Sequence, residues 1–326
     1  ARARAQQRIQ YDRPIGEHTD IGSKIVLMAS RVLALEAIVK ITGIWTDAKV
    51  DVRLESAAAK VLATEWLLES LLDLFRIYGG RAFERPDSLR LHGDLPVPIE
   101  RMIRDALINV IWEGSNGILT LWIAREGLGE YVTQGRAFLE RGIEDMAQAV
   151  PFFARISARA FNPIAFLGRG VRSGADAAPW ERFVFEESRA LARKSLWASV
   201  RHRQGLARNQ RLLRRLVTAG LQLFAVEAVL LYGSQPEVRE HALSRALVED
   251  FCLRVKETFH PTPLLSLTTP LWDDDRRLFH LAKDILAGKA GWLEEGIIPS
   301  CPGGRTGVAE PAGVVTGASV ETWSGI

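Results

Sequence analysis

The segment 99–126, IERMIRDALINVIWEGSNGILTLWIARE, reads as helix, sharp break, helix. Ile99, Met102, Ile103, Ala106, Leu107 and Val110 recur at helical spacing and form one apolar stripe. Glu100, Arg101, Arg104 and Asp105 lie off it. Gly114 leaves helical dihedrals at little cost, and Ser115 is a residue type that caps the helix after it. A second stripe starts at Ile118, Leu121 and Trp122. Glu113 is thereby placed at a corner between two helices, beside Ile111 and Trp112. A carboxylate partly desolvated in such a corner gains basicity. On spacing alone, a solvated carboxylate favoured by the dipole of the following helix is the better reading.

Outward from this corner, long apolar-periodic segments continue in both directions. Residues 17–43 predict a helix with Ile21, Ile25, Met28, Val32, Leu35 and Val39 as its apolar face, closed by Gly43. Residues 50–78 predict a second, with Leu54, Ala58, Val61, Leu62, Leu68, Leu71, Leu72 and Phe75 inward. It ends in IYGGRAF (77–83), where two adjacent glycines let backbone approach a ligand closely. Residues 1–12 read as the end of a helix broken before Pro14, and 84–98 as a Pro/Gly/Asp loop. Further helices are predicted over 131–147, 182–203, 206–232, 236–258 and 274–288. Between them, residues 150–180 mix Phe and Ile with Arg155, Arg159, Arg169 and Arg172. That pattern suits an anionic bilayer surface as well as it suits a linker packed on protein. Arg201 to Arg215 form a basic run, read as a solvated helix face. From 295 the tail is Gly, Pro, Ser and Thr, and reads as disordered.

Composition excludes several classes. The 326 residues are 47% hydrophobic and 25% charged, with net charge +3, as in ordinary globular chains. The basic residues are not interleaved with stacking residues as nucleic-acid binding demands. Cys252 and Cys301 lack metal-ligand spacing and imply no oxidising compartment. Asp273, Asp274 and Asp275 lack the spacing of a calcium loop. No apolar run reads as a membrane span. The first residues lack the apolar core of a signal peptide, and the opening inside a helix without Met suggests a fragment.

The strings R-D-A, I-W-E-G-S-N-G-I and I-A-R-E within 104–126 resemble the C-terminal signature of the acyl-CoA dehydrogenase family. Ahead of them, Arg8, Tyr11, Asp12, Pro14 and Ile15 resemble the family's R-x-x-F-G-x-P-[IL]. The turn 77–83 is similar to its Q-[IV]-x-G-G-x-G-[FY], and Glu55 with Lys60 fits its E-x-x-x-x-K loosely. Asp12, Thr19, Arg76, Ala82 and Gly117 depart from the family pattern. The resemblance implies an all-α chain: an antiparallel helical bundle over 1–130, in agreement with the short links between long segments. A helix and basic/apolar linker over 131–180, a second helical domain over 181–295 like that of the very-long-chain branch, and the tail 296–326 would follow.

The functional implications are specific. Glu113 would be the catalytic base. Arg8, Tyr11, Gly79 and Gly80 would contact FAD bound mainly by a neighbouring subunit, which implies a homodimer, and Ser115 and Gly117 would touch the flavin. The reaction would be oxidation of a long fatty acyl-CoA to the trans-2-enoyl-CoA in fatty acid β-oxidation. An electron-transfer flavoprotein would accept the electrons, in a bacterial cytoplasm or a mitochondrion, with peripheral membrane contact through 150–180. The family's N-terminal helical and middle β domains are not among these residues, so the chain alone is expected to bind FAD poorly and to be inactive. An acyl-CoA oxidase and a non-catalytic scaffold descended from the family are the competing readings.

Overall fold

In the computed structural model, residues 1–141, 179–260 and 271–295 are described. They are almost wholly helical, as the periodicity predicts. Helix α1 (Arg2–Gln7) leads into a two-residue hairpin of β1 (Ile9–Gln10) and β2 (Arg13–Pro14). Then come α2 (Thr19–Asp47), α3 (Arg53–Tyr78), α4 (Pro86–Leu91), α5 (Ile99–Asn109) and α6 (Asn116–Arg141). The second part contains α7 (Pro179–His202), α8 (Gln210–Gly233), α9 (Pro236–Arg239), α10 (Ser244–Phe259) and α11 (Leu271–Leu286).

Helix α2 lies at the centre, against α3, α8, α10 and α11. Val26, Leu33, Ala34, Ala37 and Ile38 on it are wholly buried. Helix α3 packs on α2, α5 and α6, and α8 packs on α2, α6, α7 and α10. One apolar core therefore runs from Ile25 and Val61 through Val229, Leu247 and Leu281. Trp66 of α3 meets Phe251 of α10 edge to face at 5.6 Å. The buried Asp250 adds a polar clamp: it accepts from Ser30 Oγ (2.6 Å), Arg254 Nε (2.7 Å) and Arg277 Nη2 (3.3 Å), tying α2, α10 and α11 together.

Several expectations are corrected. The inward face of α2 is the predicted one only in part: Ile25 is buried and Ile21, Met28 and Leu35 pack on the core, but Val32 and Val39 are exposed. The buried stripe includes the small residues Gly22, Ser30, Ala34 and Ala37, and a helix apolar on most sides offers no unique face to large residues alone. Gly43 does not end α2, which runs on to Asp47. Leu72 is exposed, whereas Trp66 is core. Residues 9–14 form the hairpin in place of a helix end. Its two turn residues, Tyr11 (φ 51°) and Asp12 (φ 62°), both have positive φ, as in the tight primed turns of two-residue hairpins. The predicted loop 84–98 contains α4, whose first residue is Pro86 and whose missing N–H costs nothing there. The helix predicted to begin at 131 is continuous with α6. The one predicted over 236–258 is split into α9 and α10. Helix α8, 24 residues long, is apolar enough to span a bilayer by composition, contrary to expectation. It is instead packed among α2, α6, α7 and α10, with 56% of its most apolar stretch buried. The basic/apolar linker with its membrane reading and the disordered tail lie outside the described residues.

Candidate functional site

The corner forms as the sequence suggests, with an earlier exit. Helix α5 ends at Asn109, and a turn over 110–115 leads into α6. The Asn116 N–H donates to Val110 O at 2.9 Å and closes the turn. Ser115 caps α6: its carbonyl accepts from Leu119 N at 2.8 Å and its hydroxyl from Ile118 N at 3.4 Å. Gly114 has φ 93°, a conformation that costs glycine little. Glu113 itself has φ 49°, in the left-handed region that side chains other than glycine, Asn and Asp rarely visit. Holding it there costs about 1–2 kcal/mol, so something must fix the corner.

That fixture comes from α3. Lys60 Nζ donates to Gly114 O at 2.9 Å and to Asn116 Oδ1 at 2.7 Å. Asn116, nearly buried, donates from Nδ2 to Thr64 Oγ1 and Glu65 Oε1, both at 2.8 Å. Every polar atom of the Asn116 side chain is thus engaged. Burial lowers the Lys60 ammonium from its usual pKa, while Glu65 and Glu113 oppose that shift. The Glu113 carboxylate makes no hydrogen bond or ion pair with another described residue. It is exposed, as are Ile111 and Trp112 beside it and Leu107, Ile108 and Ile118 nearby. The partial desolvation expected at the corner is therefore not supplied by the described residues: the turn aims these large apolar groups outward instead of folding them over the carboxylate.

A second group gathers around the far end of α3. Gly79 (φ 62°) ends that helix, and a Cβ added at Gly79 or Gly80 would meet nothing within 4 Å. Helix α1 packs here: Arg4 lies over the Tyr78 ring at 5.8 Å and pairs with Asp94 at 3.4 Å, and Arg81 Nε pairs with Asp94 at 2.8 Å. The hairpin after α1 carries Arg8 and Tyr11, both exposed. His18 braces it, with Nε2 on Gln10 O (3.1 Å) and Nδ1 accepting from Arg13 (3.0 Å). Arg8 has no side-chain partner among the described residues. A free guanidinium fork and an open, glycine-bordered backbone suit a pyrophosphate.

The candidate residues therefore form two groups. Glu113, Ser115 and Gly117 sit by Lys60 and Thr64, whereas Gly79 and Gly80 lie 15 or more residues further along α3, about 25 Å at the helical rise. Sequence reasoning missed Asn116 as the residue that locks the corner. It noted Lys60 only as a spacing match. The available signal was an amide directly after the capping Ser115, a side chain that can both accept and donate twice.

A family model described as the acyl-CoA dehydrogenase C-terminal domain matches residues 1–128. The probable acyl-CoA dehydrogenase FadE10 of Mycobacterium tuberculosis is 32% identical over 323 residues, covering 93% of this chain and 48% of that protein. The chain thus spans about half the length of the curated relatives it matches first. Among solved structures, an acyl-CoA dehydrogenase from Bacillus anthracis complexed with FAD superposes with TM-score 0.60 at 19% identity, over 88% of this chain and 52% of that one. Acyl-CoA oxidase-1 of Caenorhabditis elegans, complexed with FAD and ATP, gives TM-score 0.56 at 16% identity, over 90% and 46%. At these identities the two structures speak to fold alone. Sequence and fold together relate the chain to the acyl-CoA dehydrogenase superfamily, with residues 1–128 matching that family's C-terminal helical domain.

Proposed function

We propose that this chain supplies the base-bearing helical part of a flavin-dependent acyl-CoA dehydrogenase of the very-long-chain kind, acting in fatty acid β-oxidation. The observation that carries the proposal is Glu113: an unpaired carboxylate held at φ 49° on a corner fixed by Lys60 and Asn116. Residues kept in sparsely populated backbone conformations against their own preference concentrate at functional sites. Glu113 takes the proton from the carbon next to the thioester carbonyl of a long fatty acyl-CoA. Such a carbon acid needs a positioned base in a water-poor site. FAD, when bound, supplies the oxidising power for loss of hydride from the adjacent carbon. Ser115 and the backbone of Gly117 are the residues of this corner that would hold it. Arg8, Tyr11, Gly79 and Gly80 hold the pyrophosphate end of the flavin of a second subunit. The roughly 25 Å between the two groups along α3 supports that division, and with it a homodimer. An electron-transfer flavoprotein takes the electrons onward. By the same reasoning a single copy of these residues closes neither site, so the isolated chain retains FAD poorly.

The test is turnover of palmitoyl-CoA by the enzyme that carries this chain, read with an artificial electron acceptor. Glu113→Gln is expected to lower the rate about a hundredfold to ten-thousandfold, with flavin content unchanged. Undiminished turnover in Glu113→Gln would remove the base assignment. Stoichiometric hydrogen peroxide in air would convert the reading to an acyl-CoA oxidase. Absence of any turnover with FAD bound would favour a helical scaffold. Full flavin occupancy in a monomer of these residues would overturn the two-subunit site.

A further inference from the structure

The basic run that the sequence presented as a solvated face has a more particular setting. From Ser188 to Val226 there are nine Arg and Lys residues and no Asp or Glu, in a chain whose net charge is only +3. Arg208, Arg211, Arg214 and Arg215 are all exposed; the last three lie at helical spacings on one face at the start of α8, and Arg208 ends the 3-10 turn just before it. Leu213 and Val217 turn the opposite way, into the core. Arg211 to Arg215 span about 6 Å of helix axis. None of them forms an ion pair or hydrogen bond with another described residue. Four neighbouring like charges with no counter-charge among the described residues repel one another, and an external polyanion relieves that repulsion. Arginine, with its planar fork of donors, is the side chain suited to phosphate.

Two neighbours narrow the polyanion. Trp197, near the end of α7, is 61% exposed, with the Arg201 guanidinium 5.4 Å from its ring centroid. The 3-10 turn Arg203–Arg208 joins this end of α7 to α8 and packs against both. An exposed indole beside clustered guanidinium groups is a platform for a purine base next to its phosphates. At the other edge, Arg214 Nη2 lies 3.5 Å from the place a Cβ on Gly117 would occupy. Gly117 is in the first turn of α6, directly after the corner that holds Glu113. The basic face is therefore continuous with the proposed reaction site.

We propose that Trp197, Arg201 and the Arg208–Arg215 face bind the phosphorylated purine-nucleotide end of the coenzyme thioester whose acyl end reacts at Glu113. This rests on the reading of Glu113 as the base and adds to it the residues that select a coenzyme thioester over a shorter one. The face acts as a tether for the remote, unreacting part of the substrate. Its contribution should then appear in KM more than in kcat.

The test uses the full-length enzyme and two probes. Adenosine 3′,5′-bisphosphate, the nucleotide end alone, is titrated calorimetrically into the wild type and into Arg208→Gln/Arg211→Gln/Arg215→Gln. The variant is expected to bind about tenfold more weakly or worse, as loss of charged hydrogen bonds requires. The wild-type affinity is expected to fall with salt, and Trp197→Ala to weaken binding too. Palmitoyl-CoA should show a raised KM in the triple variant with kcat preserved, while the palmitoyl thioester of pantetheine, which lacks the nucleotide, should be indifferent. All three arginines are exposed, so an unchanged melting temperature certifies the variant's fold. Equal nucleotide affinity in wild type and triple variant overturns the inference. So does binding of phosphatidylglycerol–phosphatidylcholine vesicles by the wild type, lost in the triple variant, with no nucleotide binding. The nucleotide titration needs no turnover. Its failure with Glu113→Gln still inactive sinks this inference alone, and turnover indifferent to Glu113→Gln sinks the base assignment alone.

Discussion

Glu227 makes the sharpest prediction about stability. It lies in the middle of α8, 1% exposed, and neither carboxyl oxygen has a hydrogen-bond partner among the described residues. Burial, and then the charge of Glu55, push its pKa from 4.5 up to about 8. A carboxyl that holds its proton more tightly when folded favours the folded state most at low pH. That contribution is complete below about pH 4.5 and is lost as pH rises through about 8. Between pH 5 and pH 8 the loss amounts to about 3.5 kcal/mol, at roughly 1.4 kcal/mol per pH unit. Glu227→Leu and Glu227→Gln both abolish the titration. Leucine also removes two unpaired buried oxygens and should be the more stable of the two. The assay is urea unfolding of all three proteins at pH 5 and pH 8. The wild type should lose about 3.5 kcal/mol relative to either variant over that interval. Glu55, itself held above its usual pKa by burial, titrates in every one of them, so the comparison reports Glu227 together with its coupling to Glu55. A wild-type-minus-variant difference equal at the two pH values would refute the reasoning, because Glu227 would then be solvated or paired when ionised.

Three other outcomes follow from particular contacts. Asp250→Ala removes the buried carboxylate that Ser30 Oγ, Arg254 and Arg277 share, so unfolding free energy should fall by about 3–5 kcal/mol, read from urea midpoints. Cys252 is wholly buried and its thiol is pushed up to about 12, so in a Cys301→Ser background the folded protein at pH 8 should be inert to Ellman's reagent and react once urea unfolds it. Asn116→Ala leaves Lys60 only the Gly114 carbonyl and should cost about 2 kcal/mol of stability in a thermal or urea melt. Under the proposed mechanism it should also lower turnover, since Glu113 would no longer be held in place, and conservative Asn116→Asp should recover less than half of the loss in free energy.

Much of the helical architecture was legible because long helices announce themselves by spacing, and α2, α3, α7 and α8 were found within a few residues of their true limits. What escaped was of two kinds. Faces were misjudged where small residues do the burying: Ala34 and Ala37 are wholly buried on α2 while Val32 and Val39 face out. Short elements were missed because a tight turn outweighs local preference over so few residues. The hairpin at 9–14 runs against the helical reading of that stretch, and α4 hides behind its proline. At the corner, the residue types gave the break, the cap and the carboxylate. The lock on that corner could not be read, because Lys60 and Asn116 are 56 residues apart and meet only after α3 and α6 have packed.

The exposure of Glu113 bears directly on how such a site would work. A base that removes a proton from carbon gains from exclusion of water, yet the carboxylate and its neighbours Ile111 (63%) and Trp112 (61%) are open in the described residues. The surroundings are not those of a solvated helix end. Leu107, Ile108 and Ile118 are exposed as well, so the groups flanking the carboxylate in sequence are large and apolar. Large apolar side chains left outward on both sides of a turn gain roughly 1.5–3 kcal/mol each when fully covered. A polar covering surface would forgo that gain, whereas an apolar one, or the hydrocarbon of a fatty acyl group, would collect it. The same act of covering would strip water from Glu113 and raise its basicity. Under the proposed assignment, then, the rigid part of the catalytic device resides here, in Lys60, Asn116 and the strained turn. The dry environment is completed only when substrate, flavin and the neighbouring surface close over the corner.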